Sequence, residues 1–227
     1  CLPETMNILV ISKRELDLCN SALAQGGVAA VYKPVDDDNT TLHTNDTLIA
    51  GGFKNNPDSV KVLVTEAAGE IQHIIDIGVD FDKDENGQLD RTLEGGHSRR
   101  RIFHHKDSTG VEVTAKVRAA VLARKNITVV DNALLCRMKK ISGGFAADIL
   151  KDGVHTTVTA QFAVMATGGI GRVYDYTTNS AIATGDGIAM AYDMGAEIRN
   201  LSLIQFHPTA YNNKESRECF LISESVR

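Results

Sequence analysis

Apolar residues follow two spacings along the chain, and the spacing assigns most of the elements. Residues 6–12, MNILVIS, form a short apolar run rich in β-branched side chains, which predicts a buried parallel strand closed by Lys13. Residues 20–32, NSALAQGGVAAVY, predict a helix with Asn20 or Ser21 as its cap. Gly26 and Gly27 are out of place in it, each costing about 1 kcal/mol against alanine, so the pattern implies a bulky group close to the backbone there. Residues 34–46 predict a polar loop. Residues 56–78 predict an amphipathic helix, with Pro57 in its first turn, Gly78 at its end and a core stripe of Val60, Leu63, Val64, Ala67, Ile71, Ile74 and Ile75. His73 lies off that stripe and reads as a surface residue.

The same reading predicts a helix over 109–125, a parallel strand near 127–131 and then a three-stranded meander turned at Gly143-Gly144 and at residues 151–153. FAVMATGG, residues 162–169, predicts a return to a strand that ends in a glycine turn. Strand, glycine turn and helix thus recur around 13–31, at ATGGIG (166–171) and at ATGDGIAMAYDMGA (183–196). Such turns let backbone N–H groups and a helix N-terminus approach a phosphate or a planar ring, although most glycine turns only punctuate structure. Together with the meander they point to an α/β dinucleotide-binding fold, without a complete G-x-G-x-x-G. DKDENG (82–87) matches the first half of a calcium loop, but Leu93 stands where the closing carboxylate belongs, so it reads as a turn.

The chain has 227 residues, 43% hydrophobic and 23% charged, enough to bury a sizeable core. A net charge of −5 and a single basic cluster, residues 99–101, argue against nucleic-acid binding. No apolar run approaches the roughly 20 residues that span a bilayer, and the start has no signal-peptide form. Cys1, Cys19, Cys136 and Cys219 are scattered and read as free thiols in a reducing, cytoplasmic setting, with no metal site. Tryptophan is absent.

NSALAQGGVAAV, HTNDTLIAGG, EGGHSRRRI, ATGGIGRVY with the following TTN, ATGDGIAMAYDMGA and IQFHPTA resemble, in order and spacing, the L-aspartate oxidase family of the fumarate reductase/succinate dehydrogenase flavoprotein superfamily. The likeness runs over the whole chain. It implies an α/β fold: a Rossmann-like FAD-binding domain with a β-meander over 1–200, its first βα unit missing, and the start of an α+β capping domain over 201–227. The first glycine loop, a further catalytic arginine and the C-terminal part of the family are expected to lie outside this chain. The piece alone is then expected to bind FAD weakly and to be inactive.

By the same resemblance Lys13, Asn20, Ser21, Ala22, Leu23, Ala24, Gln25, Gly26 and Gly27 line FAD, with backbone donors of 25–27 near the flavin ring. Asn132 and Ala133 meet the adenine side, Thr167 and Gly168 the pyrophosphate, and Asp186 a ribityl hydroxyl, unless Asp186 is only a helix cap. Relatives that bind FAD covalently carry a histidine before AQGG; here Asn20 and Ser21 imply non-covalent FAD. Glu94 stands where relatives that act on simple dicarboxylates have an apolar residue, and a carboxylate there suits a substrate ammonium group. EGGHS could equally be a plain turn. His207, which would otherwise read as a core histidine, is implied to donate to a substrate carboxylate. Ser223, Glu224 and Arg227 complete the implied catalytic set, the alternative for the last two being a solvated helix pair. The implied reaction takes hydride from the Cα of L-aspartate, gives iminoaspartate, and passes the electrons to O2 or fumarate. This is the first step of quinolinate and NAD synthesis, with quinolinate synthase downstream. Alternatives are a soluble fumarate reductase or succinate-oxidising flavoprotein, and an inactive nucleotide-binding fragment.

Overall fold

The computed structural model describes residues 2–33, 37–207, 209–211, 213, 215 and 219–222. In chain order its elements are β1 (Ile8–Ile11), β2 (Val28–Ala29), α1 (Thr40–Ala50), α2 (Pro57–Ile77), β3 (Ile102–Phe103), α3 (Thr109–Leu122), β4 (Ile127–Val130), β5 (Leu134–Ile141), β6 (Gly144–Lys151), β7 (Val154–Ala160), α4 (Asp186–Asp193), β8 (Ala210–Tyr211) and β9 (Phe220–Leu221). They fall into two compact units, Cys1–Asn20 with Val121–Arg227, and Ser21–Ala120. The α/β class read from the pattern holds.

In the first unit the β-branched runs of β1 and β4 pair in parallel, Ile8 opposite Ile127 through Ile11 opposite Val130. The ladder continues past both strands, because Ser12 N–H donates to the Val130 carbonyl (2.9 Å) and Ala133 N–H to the Ser12 carbonyl (3.0 Å). The expected meander is present as the antiparallel order β5-β6-β7. Its second turn has positive φ at both Asp152 (51°) and Gly153 (76°), the geometry whose twist suits a two-residue hairpin. β8 and β9 form a short antiparallel pair.

The second unit is organised by α2. The Asn56 side chain accepts from the N–H groups of Asp58 and Ser59, and Gly78 closes the helix in a left-handed conformation (φ 110°). Ile71 of α2 packs with Ala30, Tyr32, Val79, Phe81 and Phe103, and Ala67, Ile74 and Ile75 border that core. Leu63, expected in the stripe, is 63% exposed instead, at the edge of the buried face formed by Val60 and Val64.

Other expectations are corrected. Residues 20–32 form turns and then β2, not a helix, because β2 pairs antiparallel with β3. That pairing brings Gly27 so close to Phe103 that a Cβ would stand 2.3 Å from the Phe103 carbonyl oxygen, and tertiary packing overrides the helical tendency of the alanines. Much of the expected loop 34–46 is the start of α1, capped by Asn39, whose side chain accepts from Leu42 N–H. Residues 162–169 form neither strand nor helix, and Phe162 and Val164 are 73% and 82% exposed. The threefold strand–turn–helix motif is therefore incomplete. ATGGIG leads into a single 3-10 turn, Gly171–Val173, and only the last glycine turn opens a full helix, α4.

Two glycines give opposite expectations. A Cβ on Gly69, inside α2, meets nothing within 4 Å, so Gly69→Ala should raise the unfolding free energy by up to about 1 kcal/mol in urea titration. Gly27→Ala should lower it by about 1–3 kcal/mol, since backbone must move to admit the methyl group.

Candidate functional site

Open parallel sheets bind ligands beyond the carboxyl ends of their strands. In the first unit, those ends carry Lys13 after β1, and Asn132 and Ala133 after β4. Asn132 adopts a left-handed conformation (φ 48°) and Ala133 is fully buried. The Lys13 ammonium donates to Asp186 (2.5 Å) and to Thr184 Oγ1 (2.7 Å), and Thr184 Oγ1 donates to the other Asp186 oxygen (3.0 Å). The hydrogen bond from Lys13 holds the Asp186 carboxyl below the usual carboxylate range. Asp186 is the first residue of α4 and the cap position belongs to Gly185 (φ 79°), so the helix-cap alternative for Asp186 is set aside.

Two glycine turns meet beside α4. Gly185 N–H donates to the Gly169 carbonyl (3.2 Å), and a Cβ on Gly187 would stand 1.9 Å from Thr167 Oγ1, so only glycine lets Thr167 pack there. Gly168 has φ 71°, and neither it nor Gly169 has an atom within 4 Å of where a Cβ would be. The result is bare backbone facing open space. Asn20 is a bridge: its Nδ2 donates to Asn179 Oδ1 (2.8 Å) and its Oδ1 accepts from Ser180 N–H (2.7 Å).

In the second unit, the turn carrying Ser21, Ala22, Leu23 and Ala24 packs on the start of α3, where Gly110 N–H donates to the Ala24 carbonyl (2.9 Å). A Cβ on Gly110 would lie 2.0 Å from the Ser21 carbonyl oxygen. Past Gln25, the chain meets Glu94. Glu94 Oε1 accepts from Gly27 N–H (3.3 Å), and a Cβ on Gly26 would stand 3.4 Å from each Glu94 carboxylate oxygen. The structure thus joins three candidates, Gly26, Gly27 and Glu94, that lie 67 residues apart at the hydrogen bond. One backbone donor expected to face a ring, Gly27 N–H, is engaged by Glu94.

Beneath Glu94 lies a network that composition and periodicity did not single out. Arg101, 1% exposed, donates through Nε and Nη2 to both oxygens of Asp38 (2.9 and 2.6 Å), and through Nη1 to Asp46 (2.5 Å) and His97 Nδ1 (3.2 Å). Asp46 also accepts the N–H and O–H of Ser98, both at 2.8 Å. Burial works to raise the Asp46 pKa, but the hydrogen bonds from Arg101 and Ser98 outweigh it and bring it to about 2. Asp38 is lowered by Arg101 against the same upward pull. His43 and His97, whose rings lie 5.5 Å apart, are both lowered, first by burial and then by the Arg101 charge. His43 Nδ1 is buried with no hydrogen-bond partner among the described residues. The only signal available in the sequence was the arginine run itself, which gives no hint of which arginine is buried.

His207 is half-buried, and its Nδ1 accepts from Thr209 N–H (3.3 Å). A backbone N–H can only donate, so the neutral ring carries its proton on Nε2. Ser223, Glu224 and Arg227 lie outside the described residues. Cys19, Cys136 and Cys219 are free thiols. DKDENG is a turn in which Asp84 Oδ1 accepts from Asn86 and Gln88 N–H. Among the described residues no helix is long and apolar enough to cross a membrane.

A lysine at the end of a parallel strand, a carboxylate at a helix start and glycine backbone open to solvent form a donor and acceptor set that fits a ligand with phosphates and a polyol. The chain belongs to the FAD-binding domain family, whose profile matches residues 3–227, and FAD is the cofactor of that family. Among individual proteins it is similar to the L-aspartate oxidase of Clostridium perfringens, 44% identical over all of this chain and 51% of that protein. The L-aspartate oxidase of Nostoc is 41% identical, over 100% and 39%. The chain therefore spans about half the length, or less, of the relatives it matches. In structure it is similar to the Mycobacterium smegmatis Sdh1 complex (TM-score 0.90, 26% identity, covering 99% of this chain and 40% of that one). It is also similar to Escherichia coli quinol fumarate reductase (TM-score 0.85, 28% identity, 90% and 35%). The resemblance carried by the motifs holds across the chain.

The buried network gives a pH dependence. The histidines, ordinarily near 6.5, resist protonation in the fold, so stability falls as pH drops below 6.5. The contributions of Asp38 and Asp46 are complete above their ordinary 3.8, and that of Asp46 disappears as pH falls through about 2. Denaturant titration across pH should show two stages of loss, the lower one reduced by about 2 kcal/mol in Asp46→Asn.

Proposed function

We propose that this chain is the FAD-binding portion of an L-aspartate oxidase, a cytoplasmic enzyme at the first step of NAD synthesis that oxidises L-aspartate to iminoaspartate. The observation that carries this reading over its rival is Glu94. Its Oε1 is held by Gly27 N–H while Oε2 has no hydrogen-bond partner among the described residues. A half-satisfied carboxylate is suited to an ammonium group and poorly suited to a substrate bearing only carboxylates. That favours an amino diacid over succinate or fumarate as the substrate.

FAD, when bound, supplies the hydride acceptor. The reading gives the chain's own residues these roles. Lys13, Asn132, Ala133, Thr167, Gly168 and Asp186 hold the cofactor at the strand ends, with Lys13 keeping Asp186 ionised to accept from a hydroxyl. The 20–27 segment would help to hold it, and with Asn20 and Ser21 where covalent relatives have a histidine, the attachment would be non-covalent. His207 offers Nε2–H and Ser223 its hydroxyl to the substrate carboxylates, Arg227 serves carboxylate binding or a proton relay, and Glu224 belongs to the same catalytic set. Glu94 holds or deprotonates the α-ammonium. Fixing both ends of the diacid in this way can supply about 7–11 kcal/mol of the barrier through orientation alone. O2 or fumarate takes the electrons, and quinolinate synthase uses the product.

In the complete flavin-loaded protein, Glu94→Gln should raise KM for L-aspartate by about tenfold or more, and leave the affinity for succinate, read from the flavin spectrum, unchanged. Equal losses for both ligands, or none for L-aspartate, would contradict the reading and favour the dicarboxylate alternative.

A further inference from the structure

The turn that bears Glu94 has little stiffness of its own. Gly95 and Gly96 follow Glu94, Gly96 has φ 83°, and a Cβ on Gly95 would touch nothing within 4 Å. Within the turn the bond is a main-chain one, His97 N–H to the Glu94 carbonyl (3.2 Å). Among the described residues the side chain of Glu94 itself has a single long hydrogen bond, to Gly27. Its order must come from elsewhere.

It comes from below. Asp46, on α1, accepts three hydrogen bonds, from Arg101 Nη1 and from the N–H and O–H of Ser98, and so staples one end of the turn to a helix. Arg101 Nη1 also reaches His97 Nδ1, while its Nε and Nη2 donate to Asp38. The Arg101 carbonyl accepts from Ala30 N–H (3.0 Å), which ties the same residue to the strand that follows Gly27. Both sides of the Glu94–Gly27 contact are therefore anchored on Arg101.

The arginine also sets the chemistry of the turn. A guanidinium only donates, so His97 Nδ1 is an acceptor and the neutral ring carries its proton on Nε2. His97 is faced by Arg101, by His43 and Asp46 of α1, by Asp38, and by Glu94 of its own turn. Burial first, and then the Arg101 charge, disfavour a proton on the second nitrogen of His97.

We propose that Arg101 and Asp46 are positioning residues that hold the 94–98 turn so that the Glu94 carboxylate is placed in advance for the substrate's ammonium group. The proposal rests on the reading of Glu94 given above, and a double-mutant cycle in the complete flavin-loaded protein separates the two. Asp46→Asn keeps the shape of the side chain, and Arg101→Lys keeps the charge but loses the fork. Each should raise KM for L-aspartate by about tenfold with kcat within about twofold, while succinate affinity and flavin content stay at the wild-type level. In a Glu94→Gln background the same substitutions should add little, because the group they position is already gone. Ser98→Ala, which removes only the hydroxyl bond, should move KM in the same direction by a smaller factor and serves where Arg101→Lys does not fold. Equal factors in the wild-type and Glu94→Gln backgrounds, or a matching loss for succinate, would overturn the positioning role. Glu94→Gln leaving KM unchanged by itself would overturn the reading beneath it.

Discussion

A guanidinium removed from water must recover its hydrogen bonds inside the protein, and Arg101 recovers them from residues that would otherwise have no reason to meet. Asp38 takes two of its donors, Asp46 and His97 share a third, and the arginine's own carbonyl joins the β2 segment. An unpaired buried charge costs several kcal/mol, so the residues before α1, α1 itself, the 94–98 turn and the β2–β3 pair are constrained together. Glycine is required at position 27 because the strand pair leaves no room for a side chain. The position of Glu94 follows from this arrangement more than from any contact of its own side chain.

The other unit follows a different rule. A parallel pair needs continuous apolar strands and delivers the residues after them to one end. Lys13, Asn132 and Ala133 are there because β1 and β4 run in register, and α4 brings Asp186 to Lys13. A charged pair and bare glycine backbone at that end suit a cofactor carrying both phosphates and hydroxyls. The family to which the chain belongs binds such a cofactor.

Much of this could be read from residue order. α2, α3, β4 and the meander were legible because their periods are long and their caps and turns are conventional: Asn56 and Pro57 at one end of α2, Gly78 at the other, Gly153 in the hairpin. α1 was not legible, because its polar residues show no clear stripe and its only local signal, Asn39, also suits a turn. The 20–32 segment was misread because its alanines favour helix while a distant strand, β3, claims it. Glu94 and its glycines were recognisable as a motif, but their mutual contact was not. Arg101 could not be told from Arg99 and Arg100 until burial separated them. Residues with local signals were found, and residues whose role depends on distant partners were not.

The claim at the centre is that Glu94 meets a positive charge on the substrate. A crystal structure of the complete flavin-loaded protein with a non-reacting amino diacid bound would test it most directly. The account predicts the ammonium nitrogen about 3 Å from a Glu94 oxygen, with the 94–98 turn still held on Asp46 and Arg101. A ligand whose amine faces main-chain carbonyls while Glu94 points to solvent would contradict it.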